Sequence, residues 1–437
     1  MFSKQINKPN ITEKPVFFDY IVCFALPVLS QFADRLQSLM GVNTSLIALI
    51  VILLSIALGI HQAGRVMRVP RIMMLTITLL SVVCFNSLIN GSDATNALKP
   101  LLLMIFVCLV GPLVTSVGIR LFMFTIVAIS IVITIDGILN IGAYSAAGVN
   151  LYNIRQSTIV DKPIYTIMYA LSITLIMVYY DKLINNVVKL LAIVIVIAFT
   201  YFGFLVIESK TFIFAVLLSA VALYVVNQRR GRTNVLIPLV VFALILLTTL
   251  FFYSFPEYIP DTVKSLISNL FGVEISYSTS YDGTFFGRNV IASTALSEFL
   301  QHPIVGIGFG NFSASFIWGG VEHSVNQTES SWLSFLTEGG MLYFLIQFIF
   351  NSVLIVLLYR RAVNTGDKSV IAILLVLLVF GALNIVNDFA NNLYWCALAV
   401  AYGLAREAPG LNRNSGPLFA LRRHCGRYKK GGEYGSY

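Results

Sequence analysis

The chain has few charged residues. Among its 437 residues only 11% are Asp, Glu, Lys or Arg, whereas 57% are hydrophobic. A soluble domain carries roughly 25% charged residues, so this shortfall excludes an ordinary globular fold and is typical of a polytopic membrane protein.

Cysteine is scarce as well. The five cysteines provide no pair in an outer loop, and we therefore expect neither a disulfide nor a thiolate metal site.

Long hydrophobic runs make up most of the sequence. Roughly 20 apolar residues cross a bilayer core about 30 Å thick, and the sequence predicts about twelve such spans. They are expected near residues 16–33, 45–63, 71–89, 99–117, 121–143, 164–180, 190–207, 211–226, 234–255, 340–358, 369–386 and 393–405. The first run lacks a small-residue cleavage site, so we expect it to be retained as a helix.

The basic residues are distributed unequally between the two sides of these spans. If the N-terminus is cytoplasmic, 22 of the 29 Lys and Arg residues fall in inner segments. Cytoplasmic segments of membrane proteins are enriched in these residues, so both termini are predicted to be cytoplasmic. The net charge of +9 then reflects this topology and attraction to anionic lipid, and it predicts no nucleic-acid partner.

The predicted architecture is an all-α polytopic membrane protein with one large outer loop that carries short interfacial helices. The predicted parts are an inner tail at 1–15, spans 1 to 9 within 16–255, the outer loop at 256–330, spans 10 to 12 within 331–405, and a basic inner tail at 406–437. Long ordered loops are uncommon without a function. We therefore expect the functional site in the 256–330 loop.

One stretch of this loop has a helical pattern. Residues 288–300 read RNVIASTALSEFL and place Ile291, Ala295, Leu296 and Phe299 at helical spacing, which predicts an amphipathic helix at the outer interface that begins just after Arg288. The pair His302-Pro303 is expected to end this helix, because proline disfavours a helical conformation in the residue before it.

Three alternate glycines follow the proline, at Gly306, Gly308 and Gly310. In an extended stretch they would leave bare backbone on one face. Backbone without Cβ atoms lets a helix or a sugar-phosphate ligand approach unusually closely. The alternative is a glycine-rich turn that dips its apolar residues into the membrane.

Two segments carry a resemblance to a known family. The segment GRNVIASTALSEFLQHPIVGIGFGNF, residues 287–312, resembles the signature region of the bacterial O-antigen ligase and O-antigen polymerase superfamily, which also includes exopolysaccharide and capsule polymerases. The segment ESKTFIFAVLL, residues 208–218, is similar to a second element of that superfamily, with Lys210 where Arg is usual.

A third element distinguishes the branches of this superfamily. The ligase branch carries a His ahead of a spaced pattern that Ser330, Gly340 and Tyr343 match here, but Glu329 occupies the His position. This departure favours the polymerase branch.

The resemblance implies a glycosyltransferase of the bacterial inner membrane whose active site is periplasmic. It would polymerise undecaprenyl-diphosphate-linked oligosaccharide units into O-antigen, capsule or exopolysaccharide. The alternatives are a ligase that transfers glycan to lipid A core or protein, and, from another class, a polysaccharide transporter or flippase. The expected partners are the lipid-linked donor, a saccharide acceptor and membrane lipids, with a chain-length regulator and a flippase beside them.

The chemistry of this reaction assigns candidate roles to charged residues. A diphosphate leaving group needs fixed positive charge, which Arg288 and Lys210 would supply, with Arg155 as a further candidate. The diphosphate leaves as a stabilised anion, so a base that takes the acceptor's proton contributes more than an acid. Glu329 is the predicted base. The competing candidates for this role are Glu322 and His323.

His302 and the three glycines are predicted to contribute to substrate binding, with His302 fixing the loop rather than acting as the base. Glu338 is expected to point into the bundle, because a carboxylate facing lipid is costly. The outer loops hold no Asp-x-Asp pair and no cluster with metal-ligand spacing, so we expect no metal and no cofactor.

Structural roles remain alternatives for the main candidates. Lys210 would serve as a residue that reaches the interface from a helix end. Arg288 would form a salt bridge with Asp282 or Glu298, and Glu329 would cap the helix that follows it.

Overall fold

The computed structural model describes residues 16–32, 36–37, 41, 44–66, 71–146, 162–183, 185–202, 210–229, 280–318, 321–326, 328, 330–386 and 392–406. Side chains at several element ends, including those of residues 210–211 and 280–289, lie outside this description. The described chain is mostly helical. In chain order the helices are α1 (Phe17–Gln31, with a π-helical segment at Ile21–Ala25), α2 (Thr44–Val66), α3 (Arg71–Ile89), α4 (Ala94–Val110), α5 (Ser116–Ala146), α6 (Lys162–Tyr179), α7 (Asn186–Tyr201), α8 (Lys210–Arg229), α9 (Ser280–Gln301), α10 (Ser331–Thr365), α11 (Lys368–Val386) and α12 (Asn392–Arg406).

Each predicted span that falls on described residues coincides with a helix, and the predicted span at 234–255 lies outside them. Among the described residues, three segments are long and apolar enough to cross a membrane, namely Ala94–Leu113, Ser116–Leu139 and Ser331–Thr365. Further apolar helices, such as Phe17–Gln31 and Asn186–Tyr201, are shorter. This is the architecture expected of an α-helical membrane protein.

Helices α11 and α12 form the centre of the bundle. Val370 through Leu377 of α11 and Leu393 through Ala405 of α12 are almost entirely buried. A helix that is apolar all round has to be surrounded by other helices or by lipid. The outer helices instead leave large apolar side chains exposed, such as Phe124 at 70% and Leu139 at 71%. Apolar surface of this kind would be unfavourable in water and suits contact with lipid chains.

Close backbone approach holds α12 against the end of α4. A Cβ atom added to Gly403 would clash with the carbonyl of Gly111, and a Cβ on Gly111 would clash with the carbonyl of Ala399. Where lipid surrounds the helices, small residues allow this proximity, and the packing contacts it permits drive association.

Contacts between distant segments gather at one end of the bundle. Asp19 of α1 accepts a hydrogen bond from the backbone N–H of Thr115 at 2.8 Å, directly before α5 begins. Lys368 lies 3.6 Å from Asp181, which joins the start of α11 to the turn after α6. The charge pattern of the sequence assigns the segments of Asp181 and Lys368 to the inner side, and Asp19 and Thr115 lie at the inner ends of their predicted spans.

The other end of the bundle is joined by a separate set of contacts. The Ser330 hydroxyl donates to the carbonyl of Asn384 at 3.1 Å, and the side-chain amide of Asn311 donates to the carbonyl of Asn90 at 3.1 Å. Asn90, Asn311 and Ser330 belong to segments that the charge pattern assigns to the outer side, and Asn384 lies at the outer end of its predicted span. Each of these described contacts therefore joins residues that the charge pattern places on the same side of the membrane.

Candidate functional site

Helix α10 is broken at Gly340. This glycine has φ 66° and ψ −175°, a conformation essentially restricted to glycine. The two halves fold back on each other, because the rings of Trp332 and Phe344 lie 5.6 Å apart. In a straight helix twelve residues would separate them by about 18 Å along the axis.

The segment after α9 closes this break through backbone hydrogen bonds. The freed N–H groups of Met341 and Leu342 donate to the carbonyls of Pro303 and Ile304 at 2.9 and 3.0 Å. On the other side of the break, the carbonyl of Glu338 accepts the N–H of Gly308 at 2.9 Å, and the carbonyl of Thr337 accepts the N–H of Ile307 at 3.1 Å. Helix ends leave such groups without partners, so residues 303–308 satisfy both ends of the broken helix.

The three alternate glycines adopt turns rather than the extended stretch considered from the sequence. Their φ angles are +69°, +100° and +80° for Gly306, Gly308 and Gly310, values that side chains disfavour. The close approach that was expected is present. A Cβ on Gly306 would lie 2.6 Å from the nitrogen of Gly340, and a Cβ on Gly310 would lie 2.6 Å from the Asn96 amide of α4.

The glycine loop, residues 302–313, also forms hydrogen bonds with the end of α3 and with the turn between α3 and α4. The N–H of Phe309 donates to the Ser87 hydroxyl at 3.2 Å. Asn311 donates both amide hydrogens, to the carbonyls of Asn90 and Ile307, each at 3.1 Å. Phe309 is buried in the main core. The loop is thus packed between two parts of the bundle.

Helix α9 is longer than the sequence predicts. It begins at Ser280 rather than near Arg288, so Arg288 lies within the helix and not before it. Ile291 and Ala295 pack in a small cluster with Phe312, as expected for the buried face. Leu296 was predicted on that face but is 47% exposed.

A β-hairpin, which the sequence analysis missed, follows the glycine loop. Strands β1 (Ala314–Trp318) and β2 (Val321–Val325) pair antiparallel, and Phe316 lies opposite His323 with their rings stacked 5.4 Å apart. The signal in the sequence is the pair of glycines at 319–320 between two runs that suit strands. His323, a candidate base, is therefore an exposed strand residue stacked on Phe316.

The glycine loop forms one wall of a pocket with a volume of about 370 Å³. This loop pocket is lined by Asn90, Glu298, His302, Ile307, Asn311 and Ser313. Glu298 and His302 lie one helical turn apart at the end of α9, which brings both side chains to the same region. The volume is at the lower end of the roughly 300–1,000 Å³ typical of small-molecule sites.

The predicted site residues other than His323 fall into three groups. His302 lines the loop pocket, and Gly306, Gly308 and Gly310 lie in the same loop without lining the pocket themselves. Arg155 and Glu329 lie outside the described residues. For Arg288 and Lys210 the structure describes the backbone only. Arg288 lies within α9, and Lys210 is the first residue of α8.

Sequence reasoning missed four polar residues that line the pocket. Asn90, Asn311 and Ser313 had no assigned role, and Glu298 was treated only as a polar position or a salt-bridge partner. A usable signal was the Asn-Gly-Ser-Asp turn at 90–93, since a polar turn between two apolar spans lies at the membrane surface.

The inward orientation expected for Glu338 agrees with the structure. Its side chain is 9% exposed and accepts a hydrogen bond from the Ser334 hydroxyl at 3.3 Å.

Within the described residues, no group of three or more His, Cys, Asp and Glu side chains is arranged to hold a metal ion.

A buried polar column continues from the break into the bundle. The Gln347 amide donates to the Tyr343 hydroxyl at 3.1 Å, and the Tyr394 hydroxyl of α12 donates to Asn351 at 3.0 Å. All four side chains are buried. Tyr343, Gln347 and Asn351 lie on one face of α10 at a spacing of four residues. The bond from Tyr394 joins two helices, and hydrogen bonds of this kind stabilise packing in lipid.

Comparison of the chain with models of known protein families gives no match, and comparison with curated proteins gives none either.

Proposed function

We propose that the chain is a bacterial inner-membrane glycosyltransferase that polymerises polyprenyl-diphosphate-linked oligosaccharide units on the periplasmic face. One observation carries the proposal. The segment that resembles the superfamily signature forms a wall of a polar pocket and bridges the break in α10, where Gly340 and Tyr343 match the spacing of the third element.

In the proposed reaction, a hydroxyl oxygen of the acceptor saccharide bonds to the anomeric carbon of the donor. The bond between that carbon and the diphosphate oxygen breaks, and the polyprenyl diphosphate leaves with the electron pair. Glu329 takes the hydroxyl proton. Arg288 and Lys210 stabilise the charge on the leaving diphosphate, and each such contact contributes about 1.5–3 kcal/mol. The resemblance supplies the reaction, and the chemistry of that reaction supplies these assignments.

The proposed topology has twelve spans, with both termini in the cytoplasm and the loop pocket facing the periplasm. Two independent features support it. Of the 29 basic residues, 22 fall in the segments assigned to the inside. The contacts that join Asn90 to Asn311 and Ser330 to Asn384 connect parts of the chain that this topology places on the same side.

A deletion strain tests the polymerase against the ligase. Loss of a polymerase leaves surface glycan with a single repeat unit, because transfer to the final acceptor continues without chain extension. Loss of a ligase instead leaves long chains on the lipid carrier. A gel of surface glycans and of carrier-linked glycans distinguishes the two, and an unchanged glycan profile would contradict both.

The Arg288→Ala variant tests the proposed cationic group. We expect chain extension to be abolished while the protein still inserts normally, because the neutral side chain cannot stabilise the diphosphate. Arg288→Lys is the matched control and should retain partial activity, since it keeps the charge but loses the two-pronged geometry of the guanidinium. Full-length glycan in the Arg288→Ala strain would remove Arg288 from the mechanism.

A further inference from the structure

The polar groups of the loop pocket are unsuited to a diphosphate. Among its lining residues that the structure describes, none is Lys or Arg, and Glu298 contributes a carboxylate. A carboxylate repels a phosphate group at close range, and desolvation in a partly enclosed pocket strengthens that repulsion. The loop pocket and the proposed diphosphate site are therefore different places.

The position of Arg288 is consistent with this separation. It lies ten residues before Glu298 in the same helix, which corresponds to a rise of about 15 Å. A saccharide that extends along α9 from a diphosphate near Arg288 would carry a later sugar unit to the pocket. The sugar units of a polymer chain lie at such distances from the reacting bond.

Glu298 and Asn311 supply hydrogen-bond acceptors to the pocket, beside the donor groups of His302, Ser313 and Asn90. Asn311 uses both of its amide hydrogens on the carbonyls of Asn90 and Ile307, which leaves its side-chain oxygen to accept. Glu298 adds two carboxylate oxygens. Such a set favours a ligand rich in hydroxyl or ammonium donors and disfavours an anionic ligand.

We infer that the loop pocket is a saccharide-binding subsite, remote from the reacting bond, in which Glu298 selects neutral or amine-bearing sugar units against acidic ones. This inference rests on the proposed function for its place in catalysis, and on the pocket alone for its ligand class. Glu298 is a specificity-determining residue and takes no part in proton transfer.

Binding of three trisaccharides to the full-length chain in lipid nanodiscs tests the inference. The probes are the trimers of glucosamine, N-acetylglucosamine and galacturonic acid, which carry positive, no and negative charge. Isothermal titration calorimetry should give the tightest binding for the glucosamine trimer and the weakest for the galacturonic acid trimer, with at least about a tenfold difference in Kd between them. The order should weaken as salt is added.

The Glu298→Gln variant should reduce this difference to less than about threefold, because the amide keeps the size of the side chain and removes its charge. Asp93→Asn is the matched control. Asp93 is exposed in the neighbouring turn and does not line the pocket, so this variant should keep the wild-type order. Thermal unfolding of both variants verifies that they are folded.

Each result distinguishes this inference from the proposed function. Equal binding of the three trimers, absence of binding, or a Glu298→Gln variant that behaves like Asp93→Asn would refute the inference, whatever the glycan gel of the deletion strain shows. An unchanged gel together with the expected binding order would refute the proposed function and leave a sugar-binding pocket of other use.

Discussion

At the scale of single residues, the glycines of the loop have two separate requirements. A positive φ costs a side chain about 1–2 kcal/mol wherever it occurs. Gly306 also faces backbone, since an added Cβ would clash with the carbonyl of Glu338 and lie 2.6 Å from the nitrogen of Gly340. Backbone cannot swing away as the end of a flexible side chain can, so the steric cost adds to the conformational one.

Gly306→Ala should therefore destabilise the chain more than Gly91→Ala does. Gly91 has a φ of +81°, yet nothing lies within 4 Å of an added Cβ, so only the conformational cost applies. We expect Gly306→Ala to cost a further 1–3 kcal/mol, roughly the penalty of overpacking. The loss of stability in both variants is measured by thermal unfolding of the purified protein in detergent, with tryptophan fluorescence as the signal. Equal shifts in Tm would mean that the loop does not lie against α10 as described.

At the scale of elements, the break in α10 depends on the loop that bridges it. Residues 303–308 pair with groups on both sides of Gly340, so the loop and the helix form one unit. A continuous helix would use these same groups internally and would release the loop. The kink thus positions the pocket wall, and the pocket is sensitive to substitutions in α10.

Gly340→Ala should disrupt this unit, because its backbone conformation costs a side chain about 1–3 kcal/mol. Gly381→Ala in α11 is the matched control. It lies in a regular helix with nothing within 4 Å of an added Cβ, and alanine favours helix over glycine by about 1 kcal/mol. We expect Tm to fall for the first variant and to stay or rise for the second. A fall of similar size in both would contradict the role of the break.

Hydropathy predicts the apolar helices well but cannot predict the break. Averaging over about 20 residues detects α4 and α5, since burial in lipid demands a continuous apolar run. Such averaging hides the buried polar column that begins at Tyr343, because each polar side chain is surrounded by apolar neighbours. Start positions of loop helices are equally hard to predict. The glycines at 283 and 287 argue against a helix, yet α9 includes both.

Only some residues of the pocket region could be predicted from the sequence, because the others come from distant parts of the chain. His302 and the loop glycines belong to one sequence segment, so their pattern identifies them together. Asn90 joins them from more than 200 residues away, through a hydrogen bond from Asn311. A pairing of this kind depends on how the helices pack, and a single sequence carries no direct record of it.

At the scale of the whole molecule, the sidedness of the bundle can be measured directly. Ser313 lines the loop pocket and Asp181 lies at the opposite end, and both are exposed. In a chain without its native cysteines, we expect a membrane-impermeant maleimide to label Ser313→Cys in intact spheroplasts. Asp181→Cys should react only after permeabilisation. The described native cysteines are buried, which suits their replacement by alanine or serine. The reverse pattern would invert the topology.

The most direct test of the central claim is turnover by the purified chain. Lipid-linked repeat units extracted from a deletion strain are incubated with the wild-type protein in nanodiscs, and the products are separated by length. The account predicts a ladder of longer glycans with release of one polyprenyl diphosphate for each bond formed, and no ladder with Arg288→Ala. Repeat units that remain single in the presence of folded wild-type protein would contradict it.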